Sequence, residues 1–243
     1  KLYDKQLISI ISEDSIIKKN NTNRSITLNQ IQNNAFNSIK SSINDNTYAA
    51  YLLHGITGSG KTEVYIKLAH TALKNNQTVI ILVPEISLTP QLSQKFIDTF
   101  GDKVGLWHSK LTQREKYKTW QAINDNRYPI IIGARSAIFT PLSNLGLIIV
   151  DEEHDPSYKQ ESSSFKYHAR DVGMIRAKYS SATIVLGSAT PSVESFYHAD
   201  DKKMKLLKMD KRYQNTDYPS IEIVDMKKGN NRFSYDFSHE LIK

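Results

Sequence analysis

A chain of 243 residues with 39% hydrophobic content can bury one sizeable core, and its lack of any cysteine excludes a disulfide framework or a thiolate metal site. No apolar run approaches the ~20 residues needed to span a bilayer as a helix, so a membrane-spanning helix is excluded and a reducing, cytoplasmic setting is expected. The formal charge of +7 is spread along the chain; it permits a polyanionic partner and fits an ordinary solvated basic surface equally well.

Residues 12–25, rich in Ser, Asn and Lys, read as a linker, and residues 1–27 as the remnant of a preceding domain plus that linker. The chain begins at Lys1, and Ser238–Lys243 reads as the start of a helix, so a piece of a longer protein is expected. The apolar stretch Tyr48–Leu53 reads as a buried strand. It runs into Gly55-Ile56-Thr57-Gly58-Ser59-Gly60-Lys61-Thr62, which matches the phosphate-loop pattern G-x-x-x-x-G-K-[ST] at every defined position. Val64, Ile66, Leu68, Ala69 and Leu73 then fit a helix whose N-terminus faces the phosphates. Glycines at 55, 58 and 60 let backbone N–H groups converge on one centre. Lys61 can reach the β and γ phosphates, and the Thr62 hydroxyl can ligate Mg²⁺. Residues Gly55, Thr57, Gly58, Ser59, Gly60, Lys61 and Thr62 are therefore the candidate nucleotide site, with ATP and Mg²⁺ as cofactors.

Further apolar runs, Thr78–Val83, Ile130–Ile132, Leu147–Val150 and Thr183–Leu186, are each followed at once by a polar, turn-forming cluster, and Val104–Trp107 is a weaker sixth. Helical patterns such as Leu92–Phe100 and Leu111–Ile123 intervene. This alternation predicts an α/β fold, a mostly parallel sheet with helices on both faces, in which ligands bind beyond the carboxyl ends of the strands. Residues 28–200 form that lobe in this reading. After the Leu147–Val150 run comes Asp151-Glu152-Glu153-His154. Asp151 would hold the Mg²⁺ shell, and Glu152 would orient or deprotonate the attacking water, because phosphoryl transfer demands positioned charge more than covalent chemistry.

D-E-x-H after an apolar strand, combined with Gly187-Ser188-Ala189-Thr190, is the pattern of superfamily-2 helicases, and the lobe is thereby expected to be RecA-like. More narrowly, Gly55–Tyr65 (GITGSGKTEVY), Val83–Gln91 (VPEISLTPQ), Gly133–Pro141 (GARSAIFTP), Asp151–Asp155 (DEEHD), Tyr158-Lys159-Gln160, Tyr167–Asp171 (YHARD) and Gly187–Pro191 (GSATP) resemble the PriA family of primosomal replication-restart helicases. The resemblance runs from about Leu28 to the C-terminus. It implies an ATP-driven 3′-to-5′ DNA helicase acting at stalled forks, with forked and single-stranded DNA, other primosome proteins and single-stranded DNA-binding protein as partners. By the same resemblance His154, Ser188 and Thr190 couple nucleotide state to DNA. Gln32 is the candidate for adenine recognition, with Gln30 as a neighbouring rival; alternatively Gln32 only opens the helix around Ala35 and Phe36.

Between Tyr158 and Arg170 the family carries an aromatic-rich loop that senses single-stranded DNA. Here it contains Tyr158, Lys159, Phe165, Lys166, Tyr167, His168 and Arg170. Aromatic rings can stack on bases while the cations follow phosphates, or Tyr158 and Tyr167 can pack beneath the loop. Ser162-Ser163-Ser164-Phe165 departs from the family pattern in residue type and length. Arg135 either contacts a DNA phosphate from the first turn of a helix capped by Ser136, or makes a surface salt bridge. His108 reads as packed or capping. Glu85, Thr89 and Gln91 fall in a family segment associated with DNA.

Residues 201–243, including Tyr218–Met226, read as the connection into a second lobe that then stops. In related systems the second lobe supplies an arginine finger worth ~10³–10⁵ in rate, so this fragment is expected to be monomeric, to bind nucleotide weakly and to hydrolyse it poorly. The family's zinc site is expected only in the part not present. Rival readings are another translocase of the superfamily, a P-loop kinase or GTPase, and a non-catalytic, nucleotide-gated DNA-binding module.

Overall fold

The computed structural model describes residues 27–84, 90–161 and 165–212. Seven strands form one sheet: β1 (Ala49–Gly55), β2 (Thr78–Leu82), β3 (Val104–Trp107), β4 (Ile130–Gly133), β5 (Leu145–Asp151), β8 (Thr183–Ser188) and β9 (Lys205–Met209). Their spatial order is β3-β4-β2-β5-β8-β1-β9, and every neighbouring pair is parallel. Parallel strands need crossovers, and α1 (Gln30–Asn44), α2 (Lys61–Lys74), α3 (Pro90–Phe100), α4 (Gln113–Asn124), α5 (Ala169–Tyr179) and α6 (Val193–Asp200) cover the two faces. A two-residue antiparallel pair, β6 (Lys159–Gln160) with β7 (Tyr167–His168), stands apart from the sheet.

Because alternate residues of a strand face opposite ways, one apolar run feeds two cores. Tyr51 and Leu53 of β1 join Val79, Ile81, Leu147, Ile149 and Val185 beneath α1 and α2. Ala50 and Leu52 join Ile80, Leu82, Ile148, Val150, Ile184 and Leu186 on the other face, with Ala169 and Ala177 of α5. The buried strands are accordingly continuous in apolar character, which is why they were legible as runs.

Helix boundaries follow local capping. The Leu111–Ile123 pattern begins two residues later, at Gln113, because Thr112 caps the helix: its Oγ1 accepts from the Glu115 amide at 3.3 Å while Glu115 accepts from the Thr112 amide at 2.7 Å. Asn29 and Gln32 form the same reciprocal pair at the head of α1. The sheet also continues past residue 200, the expected end of the lobe: β9 pairs along β1 from Tyr51↔Lys205 to Gly55↔Met209. The expected linker at 12–25, the connection at Tyr218–Met226, Ser238–Lys243, Glu85, Thr89 and Ser162–Ser164 lie outside the described residues.

Leu53 is fully buried in β1, between β8 and β9. Leu53→Ala is expected to cost about 2–5 kcal/mol of stability, through lost transfer free energy plus a residual cavity, as read by chemical denaturation.

Candidate active site at the carboxyl edge of the sheet

Gly55 ends β1, and Gly60, with φ 85 and ψ 36, is the residue from which α2 springs. That left-handed conformation suits glycine, and space demands it as well: a Cβ on Gly60 would lie 2.0 Å from Gln32 Nε2. Lys61 and Thr62 thus occupy the first two positions of α2, where the helix's leading N–H groups have no intrahelical acceptor and the helix dipole favours an anion. A cleft of about 470 Å³ opens here, lined by Thr57, Gly58, Ser59, Gly60, Lys61, Thr62, Asp151, Glu152 and other residues of the loop and α3. Lys61 Nζ donates to the Gly55 carbonyl at 2.6 Å and lies 3.9 Å from Glu152 Oε1. An ammonium, a hydroxyl and a helix N-terminus opposite two carboxylates form a donor set that fits a polyphosphate with its Mg²⁺. Lys95 of α3, paired with Glu63 at 2.9 Å, is a further cation lining the cleft that the sequence reading missed.

The three consecutive carboxylates that end β5 go to three different places. Asp151 closes the strand and lines the cleft. Glu152 sits at φ 45, in the left-handed region uncommon outside glycine, and the chain turns there while its side chain stays at the cleft. Glu153 is fully buried, and its amide donates back to the Gly187 carbonyl at 3.1 Å. Its carboxylate accepts from the Ser192 amide at 2.7 Å, Ser195 Oγ at 2.7 Å, Ser192 Oγ at 3.1 Å and Arg170 at 3.1 Å.

That network corrects the expectation for Arg170. Its side chain is 12% exposed and held by Glu153, Asp171 and Ser192, so it braces the motif from inside. For Tyr158, the packed alternative is the one observed. It is fully buried with its hydroxyl on the Asp151 main-chain carbonyl at 2.5 Å, which leaves no ring face for a base. Arg135 donates to the carbonyls of Ser157 at 3.1 Å and Lys159 at 2.8 Å. It opens a 3-10 turn, Arg135–Phe139, whose cap position is Ala134, and Ser136 Oγ instead accepts from the Trp107 indole at 3.2 Å.

Other candidates come together at the surface. Tyr167 packs edge-on against Phe139 at 5.0 Å, and Phe165 tilts over it at 5.7 Å, with Phe165 66% exposed. Phe139, half exposed, was not singled out from the sequence, although it stands in the quoted GARSAIFTP stretch. Lys159 is exposed and paired with Glu161 at 2.6 Å. His154 Nδ1 meets Ser188 Oγ at 2.7 Å, its Nε2 lies 3.4 Å from Thr190 Oγ1, and the Thr190 amide donates to Ser188 Oγ at 3.0 Å. The three residues expected to couple nucleotide state to DNA are thus in mutual contact. His108 lies half-buried, with burial holding its imidazole below the usual range.

Gln32 does two jobs at once. Its Oε1 accepts from the Asn29 amide at 2.8 Å to cap α1, and its Nε2 donates to the Ser59 carbonyl of the phosphate loop at 3.0 Å. The side chain is fully buried, so both ends of the amide are engaged by protein. Gln30 faces away and bonds Asn34.

Burial first, and then the charge of Glu152, push the Asp151 carboxyl up to about 6, against the hydrogen bond from Tyr65 and the charge of Lys61. Burial, then the charge of Asp151, hold the Tyr65 hydroxyl protonated well above its usual range, so Tyr65 is the donor in its 3.0 Å bond to Asp151 Oδ1.

Residues 25–193 match the family model described as type III restriction enzyme, res subunit, which is more than half of the chain. The chain belongs to this family. Among curated relatives, it is similar to the replication restart protein PriA of Synechocystis, 50% identical over 74% of this chain and 22% of that protein, and of Bacillus subtilis, 42% identical over 88% and 26%. The chain thus spans about a quarter of the length of the relatives it matches. Among solved structures, it resembles RecG bound to a three-way DNA junction (TM-score 0.55, 22% identity, 76% of this chain and 24% of that one) and the Pyrococcus furiosus Hef helicase domain (TM-score 0.52, 19% identity, 74% and 37%). These likenesses show that the chain shares the α/β fold of those structures, in agreement with the expected RecA-like lobe.

Two outcomes follow from the buried charges. Arg170→Ala leaves the Glu153 carboxylate buried without its cation, so a loss of about 3–5 kcal/mol in stability is expected from denaturation curves. For Asp151, the folded-state value near 6 exceeds the ordinary 3.8. The native state therefore binds the extra proton, and stability from this group is full below about 3.8 and lost as pH rises through about 6. Asp151→Asn is expected to melt higher than the parent at pH 7.5 without Mg²⁺ or nucleotide, with the difference closing toward pH 4.

Proposed function

We propose that this chain is the ATP-binding lobe of an ATP-dependent 3′-to-5′ DNA helicase that acts in replication restart at stalled forks. The observation that carries the reading is the placement of Lys61 and Thr62 opposite Asp151 and Glu152 in one cleft, with His154 of the same acidic segment bonded to Ser188 and adjoining Thr190. The name carried by the relatives, replication restart protein, supports the biological setting.

In this reading the amides of Gly58 to Thr62 and the Lys61 ammonium hold the β and γ phosphates. Thr62 and Asp151 hold Mg²⁺, which when bound supplies positive charge against the developing negative charge on the phosphoryl oxygens. Glu152 accepts a proton from the attacking water as the γ phosphoryl leaves ADP. The Lys61 ammonium, now resting on the Gly55 carbonyl and near Glu152, exchanges those partners for phosphate oxygens. His154 senses the change one residue beyond Glu153 and relays it through Ser188 and Thr190. Phe165 and Tyr167, with Phe139 and the Lys159 and Lys166 ammoniums nearby, offer stacking and phosphate contacts to a single strand without sequence preference.

Forked DNA, primosome proteins and single-stranded DNA-binding protein as partners, a zinc site elsewhere in the longer protein, and a cytoplasmic setting belong to the same proposal. Among the described residues no helix is long and apolar enough to cross a membrane. Hydrolysis at full rate needs a second lobe to complete the cleft, so the isolated lobe turns over slowly.

The test is the Mg²⁺-dependent ATPase rate of the intact protein, with and without single-stranded and forked DNA, beside Glu152→Gln. We expect DNA-stimulated hydrolysis, reduced about 10²–10⁴-fold in the variant by loss of the general base, with nucleotide binding retained. Hydrolysis indifferent to DNA, or a variant as active as the parent, would overturn the helicase reading.

A further inference from the structure

Tyr65 lies on α2 three residues after Thr62, so the two are neighbours on one face of that helix. The ring is fully buried, and its hydroxyl reaches across the sheet edge to Asp151 Oδ1 at 3.0 Å. The space for that hydroxyl is made by Gly187 of β8, where a Cβ would lie 1.7 Å from Tyr65 Oη. A second tyrosine, Tyr158, fixes the backbone of the same residue by donating to the Asp151 carbonyl. Asp151 is thus held twice by buried phenols. One comes from the helix that begins with the phosphate loop, and the other from the turn after β5.

We propose that Tyr65 is a positioning residue for Asp151, tying the carboxylate to the same helix that carries the Thr62 hydroxyl, so that the two Mg²⁺ ligands move as one unit. The inference rests on the nucleotide-binding reading given above and deepens it. A carboxylate that must bind a metal gains from a donor on one oxygen, because that donor fixes its rotamer while the remaining lone pairs stay available. Tyr65 supplies Asp151 with such a donor at 3.0 Å.

The experiment compares the intact parent protein with Tyr65→Phe and with Tyr51→Phe. Tyr51 is the matched control: its buried ring also ends in a bonded hydroxyl, 2.9 Å from the Ser38 carbonyl and 2.7 Å from Ser42 Oγ, but it lies away from the cleft. Binding of fluorescent ADP is titrated first in EDTA and then against increasing Mg²⁺, with melting temperature recorded for each variant. For Tyr65→Phe we expect unchanged affinity in EDTA and an approximately tenfold higher Mg²⁺ concentration at half-effect, with Tyr51→Phe like the parent. An unchanged Mg²⁺ midpoint in folded Tyr65→Phe would overturn the proposal, as would an equal shift in Tyr51→Phe. A parent whose ADP affinity ignores Mg²⁺ would overturn the nucleotide reading itself, a result separate from the other two.

Discussion

A carboxylate with no exposure to water must be met by donors, and Glu153 is met by four: an arginine, two serine hydroxyls and a backbone amide. These donors come from α5 and from the head of α6, so the turn after β5 is pinned from two elements distant in sequence. Removing Arg170 would leave charge unbalanced in a low-dielectric interior, and removing a serine hydroxyl would leave a lone pair of the carboxylate unmet. Glu152, the adjacent residue, inherits its position from that anchorage, and so does His154 on the other side. The left-handed backbone at Glu152 is tolerable because the surroundings over-determine it.

The anchorage also explains why the acidic motif can point three ways within three residues. A strand alternates its side chains between two faces, which would send Asp151 and Glu153 together. The turn at Glu152 breaks that alternation. One carboxylate is left beside Tyr65, one at the cleft mouth and one in the interior. A pair of cleft carboxylates and a structural brace are therefore built from one continuous stretch.

Much of the fold was legible because fully buried parallel strands are uninterrupted apolar runs, and Val104–Trp107 matches its strand from end to end. The phosphate loop was legible because its chemistry restricts residue types at fixed spacing. Strand β9 was not. Its sequence Lys205-Leu206-Leu207-Lys208-Met209 is that of a half-exposed edge, and nothing local distinguishes it from a connecting segment. Arg170 was misread for a related reason, and for Tyr158 only the fold selects the packed reading over the exposed one. A cation and an aromatic in a segment rich in both suggest a nucleic-acid surface, whereas their real partners, Glu153 and the Asp151 carbonyl, become neighbours only through the fold. Gln32 was half legible: the capping pattern with Asn29 is local, but its grip on Ser59 spans 27 residues.

Strand β9 has a bearing on where such a lobe can be cut. It shields one side of β1, and the Met209 carbonyl accepts the Ile56 amide, the first residue of the phosphate loop to leave the strand, at 3.3 Å. A chain trimmed at residue 200 would turn β1 into an edge, exposing a row of unpaired backbone groups open to self-association. It would also free the near end of the phosphate loop. The stretch that looks like mere connection is the outer wall of the nucleotide cleft's foundation, and boundaries for expression belong beyond it.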